Sequence, residues 1–320
     1  MNELNYLDGI AIATELSFYG VRCAWKKSTN SAVVITHFFR LAKPEDILKL
    51  GRAMKILEAT LGKTITRSET VEPRVFGLEF VKDEITVLSL DKRLKQAMPY
   101  KLLVGEATDG TCQMIDLDET PHLLVAGCTG SGKSVLLNNF VKCIIEQNKK
   151  GDYYKPLIID PKKVGFSKYD GVKYTQVATD VYEAIDMLKW AVITMEKRYA
   201  EMVSNNLDKW NGYRIIIVID EFADLIMDAK KSIEPLIVKI AQKGRACGIH
   251  LIIATQRPTV NVVTGTIKAN IVDRIALRVA SARDSLVVLE QKGAEKLKGK
   301  GDCLVKVGGE IKRVQCFYSK

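Results

Sequence analysis

The chain has 320 residues, 47% of them hydrophobic and 27% charged, and a formal net charge of +10. This is the composition of a soluble globular protein of one large or two ordinary domains. Its longest apolar runs, such as 215–219, fall far short of the roughly 20 residues that cross a bilayer. Residues 1–5 lack the basic and apolar segments of a signal peptide, so the chain reads as cytoplasmic, without direct membrane insertion. Seven cysteines are scattered with no C-x-x-C pair, so zinc is not expected. The positive charge favours a polyanionic partner.

Residues 1–100 read as a small α/β module. The apolar run 32–39 predicts a strand. Pro44 then opens a helix whose apolar positions Ile47, Leu48, Leu50, Met54, Leu57 and Leu61 follow a helical period up to Gly62. Short strands are expected at 64–67 and 75–80. His37 reads as a core or edge residue, and Lys92, Arg93 and Lys95 form a basic cluster that a solvated face explains as well as a nucleic-acid contact does.

Residues 101–320 read as a nucleotide-binding domain. Strands over 100–114 turn at Asp109-Gly110. The apolar run 123–126 then leads into Gly127-x-x-x-x-Gly132-Lys133-Ser134, and a helix follows. Glycines let the backbone curl so that several N–H groups point at one phosphate chain. Gly127, Cys128, Thr129, Gly130, Ser131, Gly132, Lys133 and Ser134 are therefore the expected cradle for ATP. Lys133 is expected on the β- and γ-phosphates, and Ser134 on Mg²⁺. The helix N-terminus adds partial positive charge.

A second buried strand, 156–160, runs into Asp160-Pro161-Lys162-Lys163. Asp180 and Glu183 form an expected capping box for a long helix with Val181, Ile185, Leu188, Val192, Met195 and Tyr199 on one face. A continuous apolar strand then ends in Asp220-Glu221. Asp220 is expected to hold the Mg²⁺ shell and Glu221 to polarise the attacking water. Ser232 is expected to cap another helix, stopped by Gly248. The strand 249–255 presents Thr255 and Gln256, where a glutamine can sense the γ-phosphate. A strand at 273–279 and a hairpin turning at Gly308-Gly309 complete the chain.

The order of these signals resembles the motor of FtsK/SpoIIIE DNA translocases. The segments that carry the resemblance are 121–134, 159–162, 218–225, 241–250, 254–258 and 267–271. What the resemblance implies is a RecA-like P-loop ATPase with a mostly parallel sheet flanked by helices, preceded by the small α/β module. It implies a hexameric ring that pumps double-stranded DNA through its channel, using ATP and Mg²⁺. By motif match Lys133, Ser134, Asp220, Glu221 and Gln256 keep the roles argued above. Arg274 lies where the motif places an arginine that reaches a neighbour's nucleotide, and Arg245 is a second candidate. Neither the transmembrane helices nor the winged-helix domain of membrane-anchored members is found in these residues, so a lone motor is expected. The alternative jobs are a mobile-element motor for conjugative transfer, replication or packaging, including on single strands, and, with less support, a protein-secretion ATPase. A non-catalytic scaffold fits poorly with intact Lys133, Asp220 and Glu221.

Overall fold

A computed structural model describes residues 7–68, 72–95, 98–163 and 165–319. The opening residues searched above for a leader lie outside this set. The chain divides into two compact units, Met1–Val87 with Glu106–Thr111, and Leu88–Gly105 with Cys112–Lys320. The sequence places its division near residue 100. The second unit begins earlier because Leu90 N–H donates to the carbonyl of Tyr318 and Tyr318 N–H to that of Leu88, which ties this segment to the chain's last strand.

The first unit contains α1 (Gly9–Phe18), β1 (Cys23–Asn30), β2 (Val34–Leu41), α2 (Leu50–Leu61), β3 (Ile65–Ser68) and β4 (Val75–Val81). Asp8 caps α1 by accepting from the N–H groups of Ile10 and Ala11. A short 3-10 turn, Pro44–Lys49, precedes α2, and Gly62 ends α2 in the left-handed conformation at φ 60°. The strands form an antiparallel sheet in the order β1-β2-β4-β3. Phe39, Phe76, Leu57, Ile12 and Leu16 pack its core. His37 is fully buried, with Nδ1 2.6 Å from Ser28 Oγ.

The second unit runs α3 (Asp91–Leu94), β5 (Lys101–Ala107), β6 (Cys112–Asp116), β7 (His122–Ala126), α4 (Lys133–Asn148), β8 (Tyr154–Ile159), β9 (Gln176–Ala178), α5 (Val181–Ser204), β10 (Arg214–Ile219), α6 (Phe222–Lys243), β11 (Ile249–Thr255), α7 (Gly265–Asn270), β12 (Asp273–Leu277), α8 (Ala282–Leu289), β13 (Asp302–Val307) and β14 (Glu310–Cys316). Its ten-stranded sheet has the order β6-β5-β14-β13-β12-β7-β11-β10-β8-β9. From β12 to β9 every neighbouring pair is parallel. Strands in such a sheet are covered on both faces, so they read as unbroken apolar runs rather than as alternations. Residues Ile215 to Ile219 of β10 are accordingly all fully buried. Each isoleucine side chain so buried contributes on the order of 2 kcal/mol of transfer free energy.

Two helices depart from expectation. The helix expected from Ser232 begins at Phe222, directly after Glu221, and bends at Ala229 (φ −145°, ψ 41°). Phe222, Ala223, Leu225 and Ile226 bury its first turns in the core, so burial decides the start before any polar cap is met. In α5 the buried positions are Ala184, Leu188, Ala191, Met195, Arg198 and Met202, a face rotated from the expected one. Small alanines face the packed neighbour there, and bulkier Ile185 and Val192 sit at its margin. Asp180 does cap α5, but Glu183 reaches back to Thr179 N–H, one residue earlier than a capping box has it.

Candidate active site

The carboxyl ends of β7, β8, β10 and β11 converge on one edge of the parallel sheet, the place where open α/β sheets bind ligands. The phosphate loop leaves β7 there. Gly127 N–H donates to Thr255 O at 3.2 Å and Cys128 N–H to Arg278 O at 2.8 Å, so the loop is hung between two neighbouring strands. Gly130 (φ 76°) and Gly132 (φ 102°) supply the left-handed turns that the curl needs. A Cβ on Gly132 would lie 2.6 Å from the Gly301 nitrogen. Lys300 and Gly301 in turn donate their N–H groups to the carbonyls of Gly130 and Ser131. The segment before β13 is therefore a backing for the loop, and nothing in the local sequence signals it. No side chain caps α4, whose N-terminus follows the loop directly.

Lys133 is 3% exposed, and its Nζ lies 2.8 Å from Asp220 Oδ1 and 2.6 Å from Asp220 O. Ser134 is exposed on the first turn of α4. Glu221 is 2% exposed, and its carboxylate accepts from the Thr255 hydroxyl, the Gln256 N–H and Lys162 Nζ. The Gln256 side-chain oxygen accepts a hydrogen bond from the Thr129 hydroxyl at 3.3 Å, so the glutamine faces the phosphate loop. The structure thus brings together Gly127 to Ser134, Asp220, Glu221 and Gln256.

Arg274 lies inside the fold. Its guanidinium is buried, donates to the carbonyls of Lys268, Ile271 and Val288, and pairs with Glu290 at 3.3 Å. In this arrangement it ties β12 to α8. A buried guanidinium must find acceptors near at hand, and three carbonyls supply them. Arg245, beyond the end of α6, is exposed and, among the described residues, donates to Asp118 O alone, at 3.0 Å.

The residues fit a Mg-nucleotide. A buried lysine that borrows a carboxylate has the charge a phosphate chain requires, and the uncapped helix and left-handed glycines supply N–H donors. Among the described residues no three His, Cys, Asp or Glu groups are placed to hold a metal. That suits Mg²⁺, which keeps several waters and is held by one or two protein groups plus phosphate oxygens. Ser134 and Asp220 are the residues that would fill that place if Mg²⁺ binds.

This fold and this site define a P-loop ATPase motor domain. The chain belongs to the FtsK/SpoIIIE family, whose model matches residues 86–214 and 208–260. It is 43% identical over 263 residues to a DNA translocase FtsK from Clostridium acetobutylicum, covering 75% of this chain and 34% of that protein. It is 37% identical over 304 residues to a DNA translocase FtsK from Campylobacter jejuni, covering 87% of this chain and 32% of that protein. The chain thus spans about a third of the length of these curated relatives. Among solved structures it resembles the pCW3 conjugation coupling protein TcpA with ATPγS, with a TM-score of 0.69, 27% identity, and coverage of 97% of this chain and 95% of that one. Among the described residues no helix is long and apolar enough to cross a membrane.

Proposed function

We propose that the chain is an ATP-driven motor that translocates double-stranded DNA through a hexameric ring in the cytoplasm. The observation that carries the reading is the gathering of Lys133, Ser134, Asp220 and Glu221 at one sheet edge beside the phosphate loop. Ser134 and Asp220 would hold Mg²⁺, which would supply positive charge to the phosphates. Lys133 exchanges the Asp220 carboxylate for phosphate oxygens. Glu221 accepts a proton from the attacking water, and Gln256 links the γ-phosphate region to the loop after β11. An arginine from the next subunit stabilises transition-state charge. Arg245 suits this role better than Arg274, because its guanidinium is exposed and held by a single carbonyl.

The test is ATP hydrolysis with and without a long linear duplex, at low and moderate salt, beside Lys133→Ala and Glu221→Gln. Duplex stimulation that falls steeply with salt and vanishes in both variants is the expected result. Turnover indifferent to DNA overturns the reading.

A second job for the same motor, DNA transfer in conjugation, is supported by the likeness to TcpA across nearly the whole chain. Stimulation by single strands in place of duplex, under the same conditions, favours it.

A further inference from the structure

Two further side chains, those of Thr255 and Lys162, converge on Glu221. The Thr255 hydroxyl donates to Glu221 Oε1 at 2.9 Å. It also accepts the Arg257 N–H at 3.1 Å. A hydroxyl has one proton, so with the Arg257 N–H on its lone pair its orientation is fully determined. Lys162 Nζ lies 3.3 Å from Glu221 Oε2 and 4.0 Å from Asp224 Oδ2. Its loop is tied down: Asp160 Oδ2 accepts from Gly165 N–H and Phe166 N–H, and Asp160 O from Lys163 N–H. The third hold, Gln256 N–H, sits between the two oxygens at 3.0 and 3.3 Å. Glu221 is therefore fixed from both neighbouring strands, by β11 on one side and by the loop after β8 on the other.

We propose that Thr255 and Lys162 are positioning residues for Glu221, which hold its carboxylate at the angle from which it takes the proton of the attacking water. The inference rests on the ATPase reading above. A general base is effective only within hydrogen-bond reach of the proton it abstracts, and a displacement of about 1 Å can cost on the order of 100-fold. The backbone donor alone cannot orient the carboxylate, because one N–H shared between two oxygens leaves the group free to pivot. The Thr255 hydroxyl on one oxygen and the Lys162 ammonium on the other remove that pivot. Among the described residues neither side chain hydrogen-bonds to the phosphate loop, so the expected effect falls on turnover rather than on nucleotide affinity.

The test compares Thr255→Val, Thr255→Ser, Lys162→Met and Lys162→Arg with the unaltered full chain. The readouts are DNA-stimulated kcat, affinity for Mg-ATPγS, and thermal melting. The expected result is a kcat about 10-fold lower for Thr255→Val and for Lys162→Met, with ATPγS affinity within about 2-fold. Thr255→Ser and Lys162→Arg recover kcat to within about 3-fold. A purely structural role lowers the melting temperature but produces neither this split nor the rescue. Unchanged or raised kcat in both Thr255→Val and Lys162→Met overturns the positioning role alone. So does a Lys162→Arg variant as slow as Lys162→Met. Absence of turnover in the unaltered protein, with ATPγS still bound, overturns the ATPase reading and this inference with it.

Discussion

Lys133 Nζ spans the gap between the phosphate loop and β10, 2.8 Å from Asp220 Oδ1 and 2.6 Å from the Asp220 carbonyl. Both side chains are nearly inaccessible, so each is the other's solvation. Removing one member of such a pair leaves an uncompensated buried charge, which costs about 3 kcal/mol or more. Lys133→Ala is therefore expected to lower the urea stability of the nucleotide-free protein as well as to abolish nucleotide binding. An unchanged denaturation midpoint would show that the pair does not stabilise the free fold.

Glu221 takes no part in holding the phosphate loop; its partners are Thr255, Gln256 and Lys162. Glu221→Gln is expected to retain ATPγS affinity within a few-fold while kcat falls by about 100-fold or more. Single-turnover hydrolysis beside equilibrium binding separates the two. Parallel loss of both would place Glu221 among the binding groups instead.

Gly132 combines φ 102° with a Cβ position 2.6 Å from the Gly301 nitrogen. An alanine there meets backbone on a segment that is itself hydrogen-bonded to the loop, so no flexible side chain can yield. Gly132→Ala is expected to cost about 2 kcal/mol or more and to eliminate nucleotide binding. Gly130, whose Cβ would meet nothing within 4 Å, has only the backbone strain of φ 76° to bear. Gly130→Ala is expected to be the milder change in a side-by-side melt.

Arg274 and Arg245 separate structure from turnover. Arg274→Ala takes the guanidinium from three carbonyls and leaves Glu290 to Lys306, and its expected effect is a lowered melting temperature. Arg245→Ala removes one exposed bond and is expected to melt within about 2 °C of the parent while kcat drops. Mixing Arg245→Ala subunits with Lys133→Ala subunits tests action in trans. Turnover in the mixture requires an intact nucleotide site facing an intact arginine, so partial recovery above either parent is the expected outcome.

His122 and His250 make the protein acid-sensitive. Leu251 N–H donates to His122 Nδ1, and His250 Nδ1 lies 3.1 Å from Pro121 O, so both rings are seated as neutral imidazoles. Burial lowers the pKa of His122 to about 4, and burial followed by the nearby His122 lowers that of His250 to about 3. An unfolded histidine titrates near 6.5. Folding is thus favoured above that value, and the advantage is lost as pH falls from about 6.5 through about 4 and about 3. In that window each histidine removes about 1.4 kcal/mol per pH unit. Urea midpoints at pH 7, 5.5 and 4.5 check the slope, and a His122→Asn variant is expected to flatten it.

The nucleotide site was legible because its chemistry is local. The phosphate loop needs glycines, a lysine and a hydroxyl within eight residues, and Asp220-Glu221 needs only an apolar run before it. The central strands were legible for a related reason: a sheet covered on both faces demands unbroken apolar runs. Helix boundaries were less so. Ser232 has the residue type of a cap, yet burial of Phe222 and Leu225 starts α6 ten residues earlier.

By itself the sequence determined where the glycine-rich loop with its lysine and hydroxyl lies, which acids end β10, and that a parallel sheet carries them, since each of these depends on spacing along one stretch of chain. Tertiary structure alone decided the partners. It set Lys133 on Asp220, 87 residues away; Thr255 and Lys162 on Glu221; and Gly301 behind Gly132. It also buried Arg274 and left Arg245 exposed. The physical reason is that a side chain's charge is a property of its residue type. What neutralises or orients that charge depends on which strands the sheet order makes neighbours, and β7, β11, β10 and β8 are adjacent in space but not in sequence.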